Sequence, residues 1–198
     1  MTEISRRSFL KTAGAALGAL VLPPRFHPGA RPGADWPQGP AVRLGRVTLD
    51  GRIRILSRPN PAGESVGYLY TDDVAPIVRE VVGKGALPHN HVWFELENGY
   101  VSSRYLQPVM NLPNAPLTTV PPPGVWTEVS VPYVDARVLP KTWADVRYRL
   151  YYSAIFKITE AMPADDGTIW YRVFDENGNR LFAPSEAFRP IAAEEVTP

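Results

Sequence analysis

His91-Val92-Trp93-Phe94-Glu95-Leu96-Glu97-Asn98-Gly99-Tyr100-Val101-Ser102 runs on through Ser103-Arg104-Tyr105 to Leu106-Gln107-Pro108-Val109, and most of this stretch returns, altered, near the C-terminus. The second copy is Trp170-Tyr171-Arg172-Val173, then Asn177-Gly178, Leu181-Phe182-Ala183 and Phe188-Arg189-Pro190-Ile191. Each copy reads as a β-hairpin. Asn-Gly between two arms of alternating polarity is a strong turn signal, because a type I′ turn needs positive φ at both central residues. Alternation then assigns faces. With Glu95 and Arg172 in water, Trp93 and Trp170 two residues away project outward, while Phe94, Leu96, Tyr171 and Val173 point to a core.

Working outward, the repeat divides 198 residues into two units of roughly 65 to 70 residues, near the lower limit for a self-sufficient core. The 22 prolines, 15 glycines and short strand-like runs indicate an all-β chain rich in turns. The expected fold is two small β-barrels in tandem after an N-terminal helical export signal. A net charge of +1, from 21 basic and 20 acidic residues, leaves no electrostatic footprint for nucleic acid. The chain has no cysteine, which excludes a thiol nucleophile, a disulfide or a thiolate zinc site within it. No cofactor motif is present.

The N-terminus reads as an address. Arg6-Arg7 with Phe9-Leu10-Lys11 precedes a weakly hydrophobic run, Thr12 to Leu22, built on Ala and Gly. This resembles a bacterial Tat export signal, whose partner is the Tat translocase. The run falls short of the ~20 residues that span a bilayer. Candidate cleavage sites after Ala30 or Ala34 have proline three residues back, which suits signal peptidase poorly, so two outcomes stand open: a protein released after cleavage, or one anchored in the cell envelope by an uncleaved signal. Pro23 to Pro40 is Pro/Gly-rich and reads as a flexible tether. The expected organisation is signal and tether over 1–34, a first unit over 42–109, a Pro-rich linker over 110–124, a second unit over 125–192 and a tail over 193–198.

In the first unit, Arg46–Leu49 and Arg52–Leu56 read as strands joined by a hairpin turn at Asp50-Gly51. A proline-bearing loop, 57–65, leads to a strand at Val66–Tyr70, then to a run from Val74 to Val82 in which Pro76 marks an edge or bulge. With the Trp93 hairpin this makes about five strands. The linker, with Pro113, Pro116 and Pro121-Pro122-Pro123, reads as an extended spacer; the Pro113/Pro116 spacing also fits PxxP, against which the plain spacer is the simpler reading. In the second unit Val125–Val131, Tyr133–Arg137, Val146–Tyr152 and Ile155–Ala161 read as strands, with a turn at Asp165-Asp166-Gly167.

The segments Leu56-Ser57-Arg58-Pro59, Val66-Gly67-Tyr68-Leu69-Tyr70, Trp93-Phe94-Glu95-Leu96 and Gly99-Tyr100 to Val109 resemble a bacterial SH3-like (SH3b) domain. Gly45-Arg46-Val47, the Arg79-to-Gly83 step and the tandem arrangement after a Tat signal are similar to the N-terminal region of secreted L,D-transpeptidases, where two SH3-like modules precede a catalytic domain. That domain's cysteine nucleophile has no counterpart here, so transpeptidation does not carry over. The resemblance implies a peptidoglycan ligand.

The candidate ligand-binding residues are Trp93, Tyr100, Tyr68, Trp170 and Trp143, because flat aromatic rings stack on sugar faces and supply contact area at small entropic cost. Against this stands the reading that each ring merely completes a small core. His89 and His91 have ligand-capable i, i+2 spacing but no third ligand nearby in sequence, so no metal site is assigned. Asp72-Asp73 and Asp165-Asp166 look like paired carboxylates, yet they stand where the chain turns, which favours Asp on backbone grounds. Ser102-Ser103 has no nucleophile motif around it. The expectation is an exported, non-catalytic envelope protein that binds peptidoglycan. The alternatives are the targeting half of a truncated or split L,D-transpeptidase, and an interaction module for another exported protein.

Overall fold

A computed structural model describes residues 36–39 and 42–196. The export motif Arg6, Arg7, Phe9, Leu10 and Lys11 and the cleavage candidates Ala30 and Ala34 lie outside the described residues. The described residues are all-β, in two tandem units of eight strands each. The first comprises β1 (Leu44–Val47), β2 (Arg52–Leu56), β3 (Ser65–Tyr70), β4 (Val74–Pro76), β5 (Arg79–Leu87), β6 (Asn90–Leu96), β7 (Gly99–Ser102) and β8 (Leu106–Val109). The second comprises β9 (Val125–Val129), β10 (Tyr133–Arg137), β11 (Val146–Tyr151), β12 (Ile155–Ile158), β13 (Glu160–Pro163), β14 (Ile169–Phe174), β15 (Arg180–Pro184) and β16 (Phe188–Pro190).

Each unit folds its strands into two antiparallel sheets with the same order. A three-stranded sheet runs β4-β1-β8 in the first unit and β12-β9-β16 in the second; a five-stranded sheet runs β3-β2-β7-β6-β5 and β11-β10-β15-β14-β13. Strand n of the first unit therefore matches strand n + 8 of the second. Even the backbone exceptions coincide: Asp72 and Ser153, after β3 and β11, both have positive φ (64° and 66°). Their amides donate to Val47 and Val129, the matching ends of β1 and β9.

Several expectations change. The Asp50-Gly51 turn does not close a hairpin, because β1 pairs with β4 and β8 while β2 pairs with β3 and β7 in the other sheet. The run Val74–Val82 breaks after Pro76 into β4 and β5 on different sheets. Ile155–Ala161 divides likewise into β12 and β13. Neither repeat turns on Asn-Gly in type I′ geometry: Leu96 pairs with Gly99 around Glu97-Asn98, and only Gly99 has positive φ (146°). The second hairpin closes over Asp175–Asn179, where the Asp175 carboxylate accepts the amides of Asn177 and Asn179.

Each unit has its own core. Val47, Ile53, Ile55, Leu69, Phe94, Leu96, Val101 and Leu106 belong to the first, and Val129, Val134, Leu150, Ile158, Tyr171, Val173 and Phe188 to the second. A third cluster joins them: Leu44, Val74 and Val109 from the β4-β1-β8 sheet meet Tyr133 of β10, with Trp36 edge-on to Tyr133 at 4.8 Å. Trp36 is thus not part of a free tether. Its burial is sealed by Asn111, whose Nδ2 donates to the Trp36 carbonyl at 2.9 Å.

The same junction carries a chain of alternating charge. Asp72 accepts from Arg46 at 2.6 Å and from Arg149 at 3.0 Å; Arg149 also donates to Asp135 at 2.9 Å. The Arg46 guanidinium stacks on Tyr151 (4.0 Å) and that of Arg149 on Tyr133 (4.1 Å). Arg46 also donates to Gln107. The Asp72 and Arg46 side chains are about nine-tenths buried, and each is paired and hydrogen-bonded, as buried charge requires. Nor is the linker a free spacer. The Leu112 amide donates to the Ser130 carbonyl, that of Asn114 to the Glu186 carbonyl and that of Leu117 to the Tyr171 hydroxyl, all pinning 112–117 to the second unit.

Candidate functional site

The loop between the second and third strands of each unit decides where open space remains. In the first unit β5 is nine residues long and reaches that loop, the Lys84 amide donating to the Pro59 carbonyl at 2.9 Å. Gly83 lets the strand and loop close: a Cβ there would stand 2.2 Å from the Pro59 oxygen and 2.9 Å from Trp93 Cδ1. In the second unit β13 stops after four residues, at Pro163. The matching loop stays open, and a cleft of about 460 Å³ remains.

Trp170 forms one wall of this cleft and Trp143, Thr142, Pro113 and Pro184 line it further. Trp143 is 74% exposed, the most solvent-accessible aromatic of the second unit. Trp170 is buried and its Nε1 donates to the Thr168 hydroxyl at 3.0 Å. Polar groups converge beside these rings. Arg137 donates to the Ala144 carbonyl and lies 3.8 Å from the Asp135 carboxylate, and Glu186 adds a second acid. Asn111 also lines the cleft, and its Oδ1 is buried with no hydrogen-bond partner. Burial raises the Tyr133 phenol above its ordinary pKa, with nearby Arg149 opposing, so it stays protonated. The cleft therefore combines flat apolar surface with one cation and two carboxylates, a donor set for a ligand that has a stacking face and hydrogen-bonding edges.

Against known proteins, residues 3–23 match the model of the twin-arginine translocation pathway signal sequence. The protein is exported through Tat. The translocase is accordingly its partner during passage across the cytoplasmic membrane. No curated protein matches the sequence. Among solved structures, NlpC2 from Trichomonas vaginalis is similar at 15% identity, over 79% of this chain and 51% of that one, with a TM-score of 0.27. The chain spans about half the length of that protein, and a superposition of that quality carries no inference about the exported one.

The five candidate binding residues of the exported protein separate by exposure. Trp93 and Trp170, expected to project into solvent, are 3% and 2% exposed. Each does lie on the face opposite Phe94 and Tyr171, but Trp93 is covered by the loop after the second strand and by β5, and Trp170 is a buried wall of the cleft. Trp93 donates to the Lys84 carbonyl at 3.2 Å and belongs to the packing of the first unit. Tyr100 is half-buried, its hydroxyl donating to Glu95. Tyr68 is exposed under the Arg52 guanidinium. Trp143 and Trp170 line the same cleft. His91 spends its ring nitrogens locally, on the Gly85 amide and near the Pro88 carbonyl. Asp72 turns out to be the hinge of the inter-unit ion chain, and Asp165 pairs with Lys141.

Asp135, Arg137 and Glu186 were missed because nothing local marks them; the alternation Tyr133-Val134-Asp135-Ala136-Arg137 was the available signal. An acid and an arginine two apart on a strand share a face, and in this chain that face is covered by the other unit or by the cleft.

Proposed function

We propose that this exported protein is a non-catalytic envelope component made of two SH3-like modules, over 42–109 and 125–192, which binds peptidoglycan at the Trp143 cleft of the second. The observation that carries the reading is an exposed tryptophan beside a second, buried tryptophan wall, with Arg137, Asp135 and Glu186 around them. An aromatic face stacks on the apolar side of a sugar or an alkyl side chain, and a bracketing cation and carboxylate orient the carboxylate and ammonium groups of a short peptide.

The test is co-sedimentation of the protein with purified sacculi. Wild type is expected in the pellet, and Trp143→Ala, which removes an exposed ring without touching either core, in the supernatant with an unchanged thermal midpoint. Wild type remaining soluble, or Trp143→Ala pelleting as well as wild type, refutes the cleft as the binding site.

A further inference from the structure

The cleft of the second unit holds a cation where the first unit has none. Strand register gives the equivalence: Arg137 ends β10 opposite Val146 of β11 and Phe182 of β15, and Leu56 ends β2 opposite Ser65 of β3 and Tyr100 of β7. Both strands shift register just before this residue, between Ala136 and Arg137 and between Ile55 and Leu56. In the first unit, where the loop after β2 closes onto β5, the position holds a leucine that is 5% exposed; in the second, where the loop stays open, it holds an arginine. Packing does not ask for a guanidinium here, since covering one costs desolvation that leucine does not incur.

The arginine is also incompletely used. Its Nη1 donates to the Ala144 carbonyl at 2.5 Å, which fixes the residue next to Trp143. Its Nη2 lies 3.8 Å from the Asp135 carboxylate, too far for a hydrogen bond. Asp135 is spent elsewhere, its Oδ1 accepting from Arg149 Nε at 2.9 Å. Along the row Arg46, Asp72, Arg149, Asp135, Arg137, the close pairs Arg46 with Asp72 and Arg149 with Asp135 leave Arg137 over, at the end that opens to the cleft. Glu186 also lines the cleft, but it is exposed and solvent screens its charge. The Arg137 side chain is only 20% exposed and is screened much less.

We propose that Arg137 takes a carboxylate of the ligand, so that the cleft selects a free peptide C-terminus over one already consumed in an amide bond. A planar guanidinium with unspent N–H groups matches the two oxygens of a carboxylate. Trp143, one residue from the carbonyl that holds Arg137, offers a flat face to the apolar side of the residue that bears the carboxylate. The inference rests on the peptidoglycan reading for the source of the ligand and narrows it to stem-peptide ends whose carboxyl group has not been joined to a neighbour.

The test is a titration of isotope-labelled protein followed by NMR of the tryptophan indole N–H signals, with Trp143 assigned through Trp143→Phe. The probes are N-acetyl-D-alanyl-D-alanine and its C-terminal amide, which differ in the charged group alone. The acid is expected to shift the Trp143 signal of wild type, and the amide to bind about 10–100-fold more weakly. Arg137→Lys, which keeps a cation but loses the fork, is expected to bind the acid more weakly than wild type does, and Arg137→Met to bind acid and amide alike. Equal binding of acid and amide to wild type overturns the inference and leaves the peptidoglycan reading in place. A Trp143 signal that neither probe moves also overturns it, and co-sedimentation with sacculi then decides separately whether that reading stands. Preference for the acid that survives in Arg137→Met puts the carboxylate on another group and overturns the assignment to Arg137.

Discussion

Replacing Asp72 with Asn isolates the charge at the centre of the inter-unit junction. Asn tolerates the positive φ of 64° at this position, so the backbone is not strained by the change. What is lost is a carboxylate that accepts from Arg46 at 2.6 Å and Arg149 at 3.0 Å, leaving two guanidinium groups facing an amide. Removing one partner of a buried pair costs about 3–5 kcal/mol. Two features place the loss at the lower end. The Arg149 side chain is 32% exposed and keeps Asp135, and Arg46 keeps Gln107 and the Tyr151 ring. A loss of about 3 kcal/mol corresponds to a fall of roughly 6–12 °C in thermal midpoint for a chain of this size. The assay is urea unfolding followed by tryptophan fluorescence, with Arg149→Met and the double variant completing a cycle. Because Asp72 and Arg149 are in direct contact, the double variant should be less destabilised than the sum of the singles by about 1–2 kcal/mol. Additivity within about 0.3 kcal/mol would refute the claim that this ion chain ties the units together.

Trp93→Ala should cost about 3–5 kcal/mol because it empties a buried site, whereas Trp143→Ala should leave stability within about 0.5 kcal/mol of wild type; comparable losses in urea melts would contradict the assignment of one ring to packing and the other to the cleft. Gly83→Ala should destabilise by about 1–3 kcal/mol through collision with the Pro59 carbonyl, and an unchanged urea midpoint would show that the strand and loop are not in contact. The Glu128 carboxyl is held below its ordinary value of 4.5, first by the Ser153 hydroxyl and then by Arg189. A carboxyl with a lowered folded pKa adds stability that is complete above the unfolded value and lost as pH falls through the folded one. The urea midpoint of wild type should therefore drop below about pH 4.5 more steeply than that of Glu128→Gln, and parallel profiles would remove Glu128 from the acid response.

The sequence by itself determined what is local or repeated. Twin arginines ahead of an Ala/Gly run are read by a receptor as a linear string, so the Tat signal needed no fold. The strand-like runs and the recurrence of the Trp93 stretch at Trp170 sufficed for two all-β units, because alternation acts over a few residues. Where it failed, the deciding contact came from far along the chain. Trp93 and Trp170 do lie opposite Phe94 and Tyr171, yet both rings are buried, and whether a cleft remains beside them depends on Pro59 reaching Gly83 in one unit and on β13 ending at Pro163 in the other. Asp72 looks like a turn residue in isolation, and it is one; its pairing with Arg149, 77 positions away, exists only because the second unit packs on the first. Faces of strands are written in the alternation of residues, whereas what covers a face is settled by packing between segments whose separation in sequence carries no signal of their contact.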